Sequence, residues 1–366
     1  MRFTIEQSVL HDAVRSAARA VGARQAVPVL SGVHLEAGLH ELRLRATDLE
    51  VEIRLAVPAH VAETGAVVLP ARYLQELVRR LPPGPLGVRV NPANATARIE
   101  VDGSEYVIHG FPADQFPAPG APGASAPQVA IEPQHLATVL RETGFATGHD
   151  EARPWFTGVF LSLQGDQVIA LATDGAILAY SEAPVHNPGA LTFSVILPGR
   201  SLQELGRLLP EAEGCRMGAG LSQFHFDLGS ICLTTRLLEG QYPDFRKYIP
   251  AAFPTQVRVS RERFQAACER AALAAHQSAI RLDAGPAGLT LTARTPEVGE
   301  VTERLPARVE GPQFSVPLNV HYVLSGLRSL EGSDLVLDFA SARTAVRFRS
   351  TPEARSFFAV LPLLSF

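Results

Sequence analysis

The 366-residue sequence predicts an α+β fold made of three repeated domains, each with two helices packed on antiparallel sheets. One observation is a repeat of roughly 125 residues, which places Leu10, Leu136 and Phe264 at equivalent positions. A period of this length indicates domain-sized units and excludes short solenoid repeats. The second observation is that each copy has the same order of strand, helix, paired strands and a further helix near a proline.

Each copy is predicted to open with a short strand, a helix and a pair of strands. Apolar residues alternate in the strand segments and then change to helical spacing. The opening strand and helix segments are residues 3–5 and 9–14, 129–131 and 136–140, and 257–259 and 264–267. The paired strands are residues 31–35 and 42–48, 157–161 and 168–174, and 279–282 and 289–293. The third pair is the least regular of the three.

A second helix in each copy is predicted to begin at a proline that follows a strand. The segments are residues 68–77, 196–205 and 315–324, and the first two share Leu-Gln-Glu-Leu. Leu77, Leu205 and Leu324 each lie seven residues after the proline. Proline is tolerated at a helix start because its missing N–H would have no intrahelical partner there. Short alternating strands complete the copies at residues 97–101, 224–228 and 345–349.

Two connectors separate the repeats. Residues 111–127 are dense in proline and glycine, which predicts a semi-stiff linker and a domain boundary near Pro127. The second connector, residues 240–250, contains aromatic side chains, so we expect it to pack against a domain. The predicted domains are residues 1–127, 128–250 and 251–366.

Composition limits the class of protein. The formal net charge is -4, and Lys247 is the only lysine, so almost every positive charge is an arginine. No apolar run approaches the ~20 residues of a membrane helix, and residues 1–6 predict a strand instead of a signal peptide. We therefore expect a soluble, cytoplasmic protein. Cys215, Cys232 and Cys268 are an odd number without Cys-x-x-Cys spacing, which argues against a disulfide framework and a zinc site. We expect no cofactor.

Signals for catalysis are weak. The sequence has no phosphate-binding loop, no His-Glu-x-x-His and no Gly-x-Ser-x-Gly. The best catalytic candidates are His149, Asp150 and Asp174, which could share a cleft. Asp48 repeats the Thr-Asp pattern of Asp174 at the end of a strand, so a turn carboxylate that binds its own backbone explains both residues better. An enzyme of unknown class and a protein-binding scaffold without DNA remain as alternatives.

Arginines recur at equivalent positions on the predicted helices. His11, Arg15 and Arg19 share one face of the first helix. Arginines two turns apart follow on later helices at Arg72 and Arg79, Arg200 and Arg207, and Arg263 and Arg270. Ordinary solvated helix faces are one interpretation. The recurrence favours another, in which repeats arranged in an arc place these helices on one concave surface that holds a phosphate backbone without reading bases.

Longer motifs along the whole chain match a known family. They are residues 22–24 with 28–30, 47–50, 172–175, 238–246 and 360–363. The Tyr-Pro-Asp-Phe-Arg stretch and the proline-containing tail are the most specific. On these residues the chain resembles the bacterial DNA polymerase III beta subunit, or sliding clamp, family. The resemblance implies three clamp domains per subunit, a head-to-tail homodimer closing a six-domain ring around duplex DNA, and a non-enzymatic role as a processivity factor.

The resemblance also implies three sets of functional residues. Those near DNA are Arg24, His149, Asp150 and Arg200, to which the recurrence on the predicted helices adds Arg15, Arg19, Arg72 and Arg79. The second set forms a cleft for short linear peptides. The peptides belong to the DNA polymerase III catalytic subunit, the clamp loader, other polymerases and repair proteins. The implied cleft residues are Phe156, Thr173, Gly175, Ala176, Ile177, Leu178, Pro243, Lys247, Tyr248, Val346, Leu361, Pro362 and Leu363. The contact between subunits is implied at Tyr106 and Ile108 against Leu273 and Ala274 of a second copy.

Some positions depart from the family's pattern. Ala176 and Ile177 stand where histidine and arginine are usual, so we expect partner peptides to depend more on hydrophobic anchors. Asp150 replaces a neutral polar residue, and Ala274 is smaller than the usual side chain. The tail ends at Phe366, an aromatic residue that could cover the mouth of the cleft.

Overall fold

A computed structural model describes residues 1–22, 27–118, 128–150, 152–245, 249–296 and 299–364. The chain separates into two compact units. The first unit contains Met1–Gln134, His186–Leu191 and Glu204–Leu237, and the second contains His135–Val185, Thr192–Gln203 and Leu238–Phe366.

Six α-helices lie in the described residues, two in each sequence repeat. They are α1 Gln7–Ala17, α2 Ala71–Arg80, α3 Pro133–Gly144, α4 Gly199–Leu208, α5 Arg261–Ala272 and α6 Val320–Ser329. Their apolar residues recur every three or four positions, so one side of each helix is buried, as with Leu10, Ala13, Val14 and Ala17 of α1. None of the helices in the described residues is long and apolar enough to cross a membrane.

The strands follow the same order in each repeat. In the first repeat they are β1 Arg2–Glu6, β2 Gly32–Ala37, β3 Glu41–Thr47, β4 Val51–Pro58, β5 His60–Glu63, β6 Gly65–Pro70, β7 Pro85–Asn91, β8 Thr96–Val101 and β9 Ser104–His109. In the second they are β10 Val129–Ile131, β11 Gly158–Gln164, β12 Gln167–Thr173, β13 Ile177–Pro184, β14 Phe193–Pro198, β15 Cys215–Ala219, β16 Gln223–Asp227 and β17 Ile231–Arg236. In the third they are β18 Thr255–Ser260, β19 Ala279–Gly285, β20 Gly288–Thr295, β21 Gly299–Leu305, β22 Ala307–Glu310, β23 Phe314–Asn319, β24 Asp334–Phe339, β25 Val346–Arg349 and β26 Phe357–Val360.

Two sheets form the first unit. One has the strand order β5-β1-β7-β8-β9, and the other has the order β10-β15-β16-β17-β4-β3-β2-β6. The second of these sheets joins the first two sequence repeats, because β4 pairs antiparallel with β17 from Leu55 opposite Ile231 to Val51 opposite Thr235. The repeats are therefore linked by backbone hydrogen bonds as well as by a connector.

The second unit also contains two sheets. Their strand orders are β14-β11-β12-β13-β26-β25-β24-β18-β22 and β21-β20-β19-β23. Here β13 pairs antiparallel with β26, from Ile177 opposite Val360 to Tyr180 opposite Phe357. This pairing joins the second and third repeats in the way that β4 and β17 join the first two.

Most of the predicted elements are confirmed. The strand pairs β2–β3, β11–β12 and β19–β20 are antiparallel hairpins at the predicted places. The second connector packs as expected, since the Tyr242 ring stacks on Phe160 with centroids 5.4 Å apart and Phe245 lies 5.8 Å from Tyr180. The α+β class is confirmed as well.

One predicted helix start is wrong. Pro317 lies inside strand β23, and α6 begins three residues later at Val320, with the Asn319 side chain accepting a hydrogen bond from the His321 backbone N–H over 2.9 Å. Leu324 is consequently not equivalent to Leu77 of α2. The strand tolerates proline because β23 is at the edge of its sheet, where a missing N–H breaks no ladder.

Candidate peptide cleft and DNA-facing surface

The turn between β12 and β13 is fixed by side chains of its own sequence. The Thr173 hydroxyl donates to the Ile177 carbonyl over 2.6 Å and accepts from the Gly175 N–H over 3.0 Å. Asp174 Oδ1 accepts from the N–H groups of Ala176 and Ile177 over 2.8 and 2.9 Å. Gly175 has a φ of 99°, a left-handed conformation that favours glycine. The prediction of a turn carboxylate at Asp174 is therefore confirmed.

A cavity of about 200 Å³ lies beside this turn, within the second unit. Eight of the residues implied for the peptide cleft line it: Phe156, Thr173, Gly175, Ala176, Ile177, Leu178, Pro243 and Leu361. Four further lining residues were not predicted: Phe245, Ile249, Ala345 and Ala359. Phe245 and Ile249 belong to the connector that was expected to pack, whereas the two alanines carry no signal in the sequence. The lining is dominated by apolar side chains, which suits apolar anchors of a peptide.

Three described residues of the implied cleft set, Val346, Pro362 and Leu363, do not line this cavity. Val346 is buried in β25 opposite Val360. Pro362 and Leu363 are not among the residues that line the cavity, and the Leu363 N–H donates to the Pro317 carbonyl over 2.9 Å. Lys247, Tyr248 and the terminal Phe366 lie outside the described residues.

An arginine lies at one edge of the cleft. The Arg153 guanidinium is 5.0 Å from the Phe156 ring centroid and pairs with Asp150, Nε to Oδ2, over 2.9 Å. The hydrogen bond from Arg153, with a second from the Ala152 backbone, lowers the pKa of Asp150 below its ordinary value. Asp150 is thus a partner for a neighbouring cation, and it supplies a negative charge to a loop that was implied to lie near DNA.

Three of the four helix arginines implied to face DNA are paired with acids. Arg15 contacts Glu211 over 3.0 Å, and Arg19 contacts Glu204 over 3.3 Å. On α2, Arg79 pairs with Glu76 over 3.0 Å. The pairs of Arg15 and Arg79 are exposed, and exposed ion pairs are weak and screened by salt. Arg72, Arg200 and His149 are exposed, and Arg24 lies outside the described residues.

The residues implied for the subunit contact differ in exposure. Leu273, which follows α5, is 81% exposed, and Tyr106 of β9 is half-buried. Ile108 is only 3% exposed and Ala274 is equally buried, so both already pack inside the chain. Replacing Ile108 by aspartate would therefore disturb the packing of β9 within the chain as well as any subunit contact.

Chemistry beyond binding has little support in the described residues. None of their His, Cys, Asp and Glu side chains form a group of three that could hold a metal. Cys215 and Cys268 are buried, and burial raises the pKa of Cys215 to about 12, which disfavours a reactive thiolate. Asp174 is engaged in its turn and Asp150 in an ion pair.

Three repeated α+β domains, with an apolar cleft and charge-paired helix surfaces, define a clamp-type protein. The N-terminal, central and C-terminal domain families of the DNA polymerase III beta subunit match residues 1–119, 130–244 and 246–363. The beta sliding clamp of Synechococcus elongatus is 34% identical over 375 residues, covering 99% of both chains. The sliding clamp structure from Bacillus subtilis superimposes with a TM-score of 0.95 at 27% identity, and the Pseudomonas aeruginosa clamp bound to griselimycin with 0.94 at 26%, each covering 100% of both chains.

The chain belongs to the DNA polymerase III beta subunit family, the bacterial sliding clamps. Its function is that of a sliding clamp in DNA replication, which is a non-catalytic role. The expectation of a non-enzymatic processivity factor is confirmed by this membership, and the enzyme alternative built on His149, Asp150 and Asp174 is set aside.

Proposed function

We propose that two copies of this chain close head to tail into a ring around duplex DNA and tether the replicative polymerase. Each copy contributes three domains, residues 1–127, 128–250 and 251–366. The observation that carries the proposal is that β9 and β21 are both edge strands of their sheets in the described residues. The equivalent strands of the other repeats are already paired inside the chain, at the two junctions between repeats.

The two closed junctions follow one rule. In each junction, the third strand after the first helix of one repeat pairs with the last strand of the next repeat. The first junction pairs β4 with β17, and the second pairs β13 with β26. Applied once more, the rule pairs β21 with β9. Both are edge strands in the described part of the chain, and they belong to the third and first repeats. A contact between unlike edges is heterologous, and two copies close it into a ring.

Apolar side chains support the same pairing. At the β13–β26 junction Phe145, which follows α3, packs edge to face on Phe358 with centroids 6.0 Å apart. Leu273 follows α5 in the same way and is exposed, and Val107 on β9 is 43% exposed. In the ring, Leu273 of one copy covers the β9 region of the other.

The cleft beside Asp174 docks short linear peptides. Its occupants are segments of the DNA polymerase III catalytic subunit, the clamp loader, other polymerases and repair proteins. Leu361, which is 39% exposed, offers an apolar contact at the mouth, and Ala176 and Ile177 add no charge to the walls. Hydrophobic anchors therefore supply most of the affinity.

Duplex DNA passes the helices without sequence readout. Because Arg15, Arg19 and Arg79 already have carboxylate partners, their contacts with phosphates are weak and exchange easily. Retention then comes from ring closure instead of affinity, which permits sliding. The place of action is the cytoplasm, where bacterial DNA is replicated.

The decisive experiment measures retention on DNA. The purified protein is loaded with a cognate loader and ATP onto nicked circular DNA, and bound protein is measured before and after the circle is cut. We expect loss on linearisation, because a closed ring slides off free ends. Equal retention on both forms would mean that direct affinity holds the protein, and the ring proposal would fail.

A further inference from the structure

The turn at the cleft is duplicated elsewhere in the chain. Thr47 and Asp48 make the same four hydrogen bonds as Thr173 and Asp174, with lengths of 2.8–3.0 Å in the first turn and 2.6–3.0 Å in the second. Both carboxylates therefore have the same local effect, which is to fix the backbone of a tight turn. These four hydrogen bonds are therefore the same in the turn at Asp174, which borders the apolar cleft, and in the turn at Asp48, which does not border that cleft.

Asp174 makes one further contact outside its own turn. The Tyr322 hydroxyl donates to Asp174 Oδ2 over 2.7 Å. Tyr322 lies in the first turn of α6, whose start is fixed by the Asn319 cap. Because Oδ1 binds the turn and Oδ2 binds the tyrosine, a single carboxylate joins the β12–β13 turn to a helix of the third repeat.

The C-terminal segment holds the other side of this turn. The Leu361 N–H donates to the Ala176 carbonyl over 2.8 Å, and Leu363 is tied to Pro317. Gly175, Ala176 and Leu361 all line the cavity. A shift of the turn would therefore move two parts of the cleft wall together.

We infer that Tyr322 is a positioning residue for peptide docking, because its hydroxyl, acting through Asp174, fixes the wall formed by Gly175, Ala176 and Leu361. The inference rests on the proposed peptide-docking function. A hydrogen bond to an ionised acceptor is among the stronger kinds, and a binding site held loosely by about 1 Å loses much of its affinity.

The tyrosine keeps its proton under physiological conditions. The hydrogen bond to Asp174, more than burial, raises the pKa of Tyr322 to about 12. The hydroxyl therefore remains a donor throughout the physiological range, and the link does not act as a pH switch there.

The test combines three single variants with one double variant. Tyr322→Phe removes only the hydroxyl, Asp174→Asn weakens its acceptor, and Asp48→Asn makes the same change in the duplicate turn. The probe is a fluorescein-labelled Ser-Leu-Leu-Phe peptide, whose affinity is read by fluorescence anisotropy. We expect Tyr322→Phe to bind it roughly tenfold more weakly, Asp48→Asn to bind it as the unaltered protein does, and the double variant Tyr322→Phe/Asp174→Asn to be no weaker than Asp174→Asn alone.

Hydrogen exchange at the Leu361 amide provides a readout that needs no peptide. We expect faster exchange in Tyr322→Phe and unchanged exchange in Asp48→Asn. Unchanged affinity with unchanged exchange would overturn the inference, as would additive losses in the double variant, since the tyrosine would then contact the peptide independently of Asp174. If the unaltered protein ignores the peptide while Leu361 exchange still responds to Tyr322→Phe, peptide docking fails but the positioning role stands.

Discussion

Replacing Leu273 by aspartate is expected to separate the proposed ring into single chains. Leu273 directly follows α5 and is 81% exposed. The equivalent residue of the second repeat is Phe145, which directly follows α3 and packs on Phe358. In the proposed homodimer Leu273 would be covered by the β9 region of a second copy. An aspartate there would lose the apolar contact and bury a carboxylate without a partner.

The size of the effect follows from the apolar surface that the proposed subunit contact covers. Burying a leucine side chain fully contributes about 1.5–3 kcal/mol, so covering one that is 81% exposed contributes about 2 kcal/mol. A head-to-tail ring of two copies contains two such contacts. The variant therefore loses about 4 kcal/mol per dimer, which raises the dimer dissociation constant about a thousandfold.

Sedimentation velocity over a series of protein concentrations measures that constant. The matched control is Leu39→Asp, because Leu39 is 78% exposed in the turn between β2 and β3, which belongs to neither β9 nor β21. It makes the same chemical change and should leave the dimer intact. An unchanged dissociation constant for Leu273→Asp would refute the edge pairing, and so would equal weakening by Leu39→Asp, because added charge alone would then explain the result.

Two further predictions concern stability and salt. Asp338→Asn should lower the free energy of unfolding by about 3 kcal/mol. The reason is that the Asp338 carboxylate is 1% exposed and pairs with Arg347 and Arg349 over 2.9 and 2.8 Å. Urea unfolding measures the change, and Asp334→Asn, at an exposed position, is the control. Burial raises the pKa of Asp338, but hydrogen bonds from Arg349 and Gln256 outweigh it and the folded pKa is lowered, so the stabilisation is complete above the unfolded value of about 3.9 and is lost as the pH falls through the folded value. The difference between variant and unaltered protein should shrink in that acid range, and a constant difference would contradict the ion-pair explanation. Peptide affinity should change little when salt is added, and a collapse in an anisotropy titration would show that charges carry the binding.

Local patterns in the sequence were sufficient to predict most of the helices and strands. Hairpins and helices depend on periods of two and 3.6 residues that a single segment displays, and the repeat supplied each segment with two further copies. Pro317 misled because proline marks a helix start in one context and an edge strand in another, and only the sheet order distinguishes them. The turn at Asp174 was predictable because its hydrogen bonds are made within five residues.

The candidate site was predictable only in part. Residues of the β12–β13 turn and the connector carried recognisable motifs, whereas Ala345 and Ala359 reach the cleft through the pairing of distant strands and have side chains too common to stand out. Acids from distant parts of the sequence also neutralise arginines of the helices proposed to face DNA. Arg15 meets Glu211, 196 residues away, so the net charge of that surface could not be read from one helix.

The pairing of β4 with β17 has a consequence for how the assembly responds to dilution. Those two strands belong to one polypeptide, so the connector between the repeats keeps them at a high effective concentration however dilute the protein becomes. The ladder proposed between β21 and β9 of separate copies would have no such tether, and the fraction of it that forms would depend on the protein concentration. The two kinds of strand pairing would then respond differently to dilution. A helper protein that opens the ring would meet least resistance where the polypeptide is discontinuous.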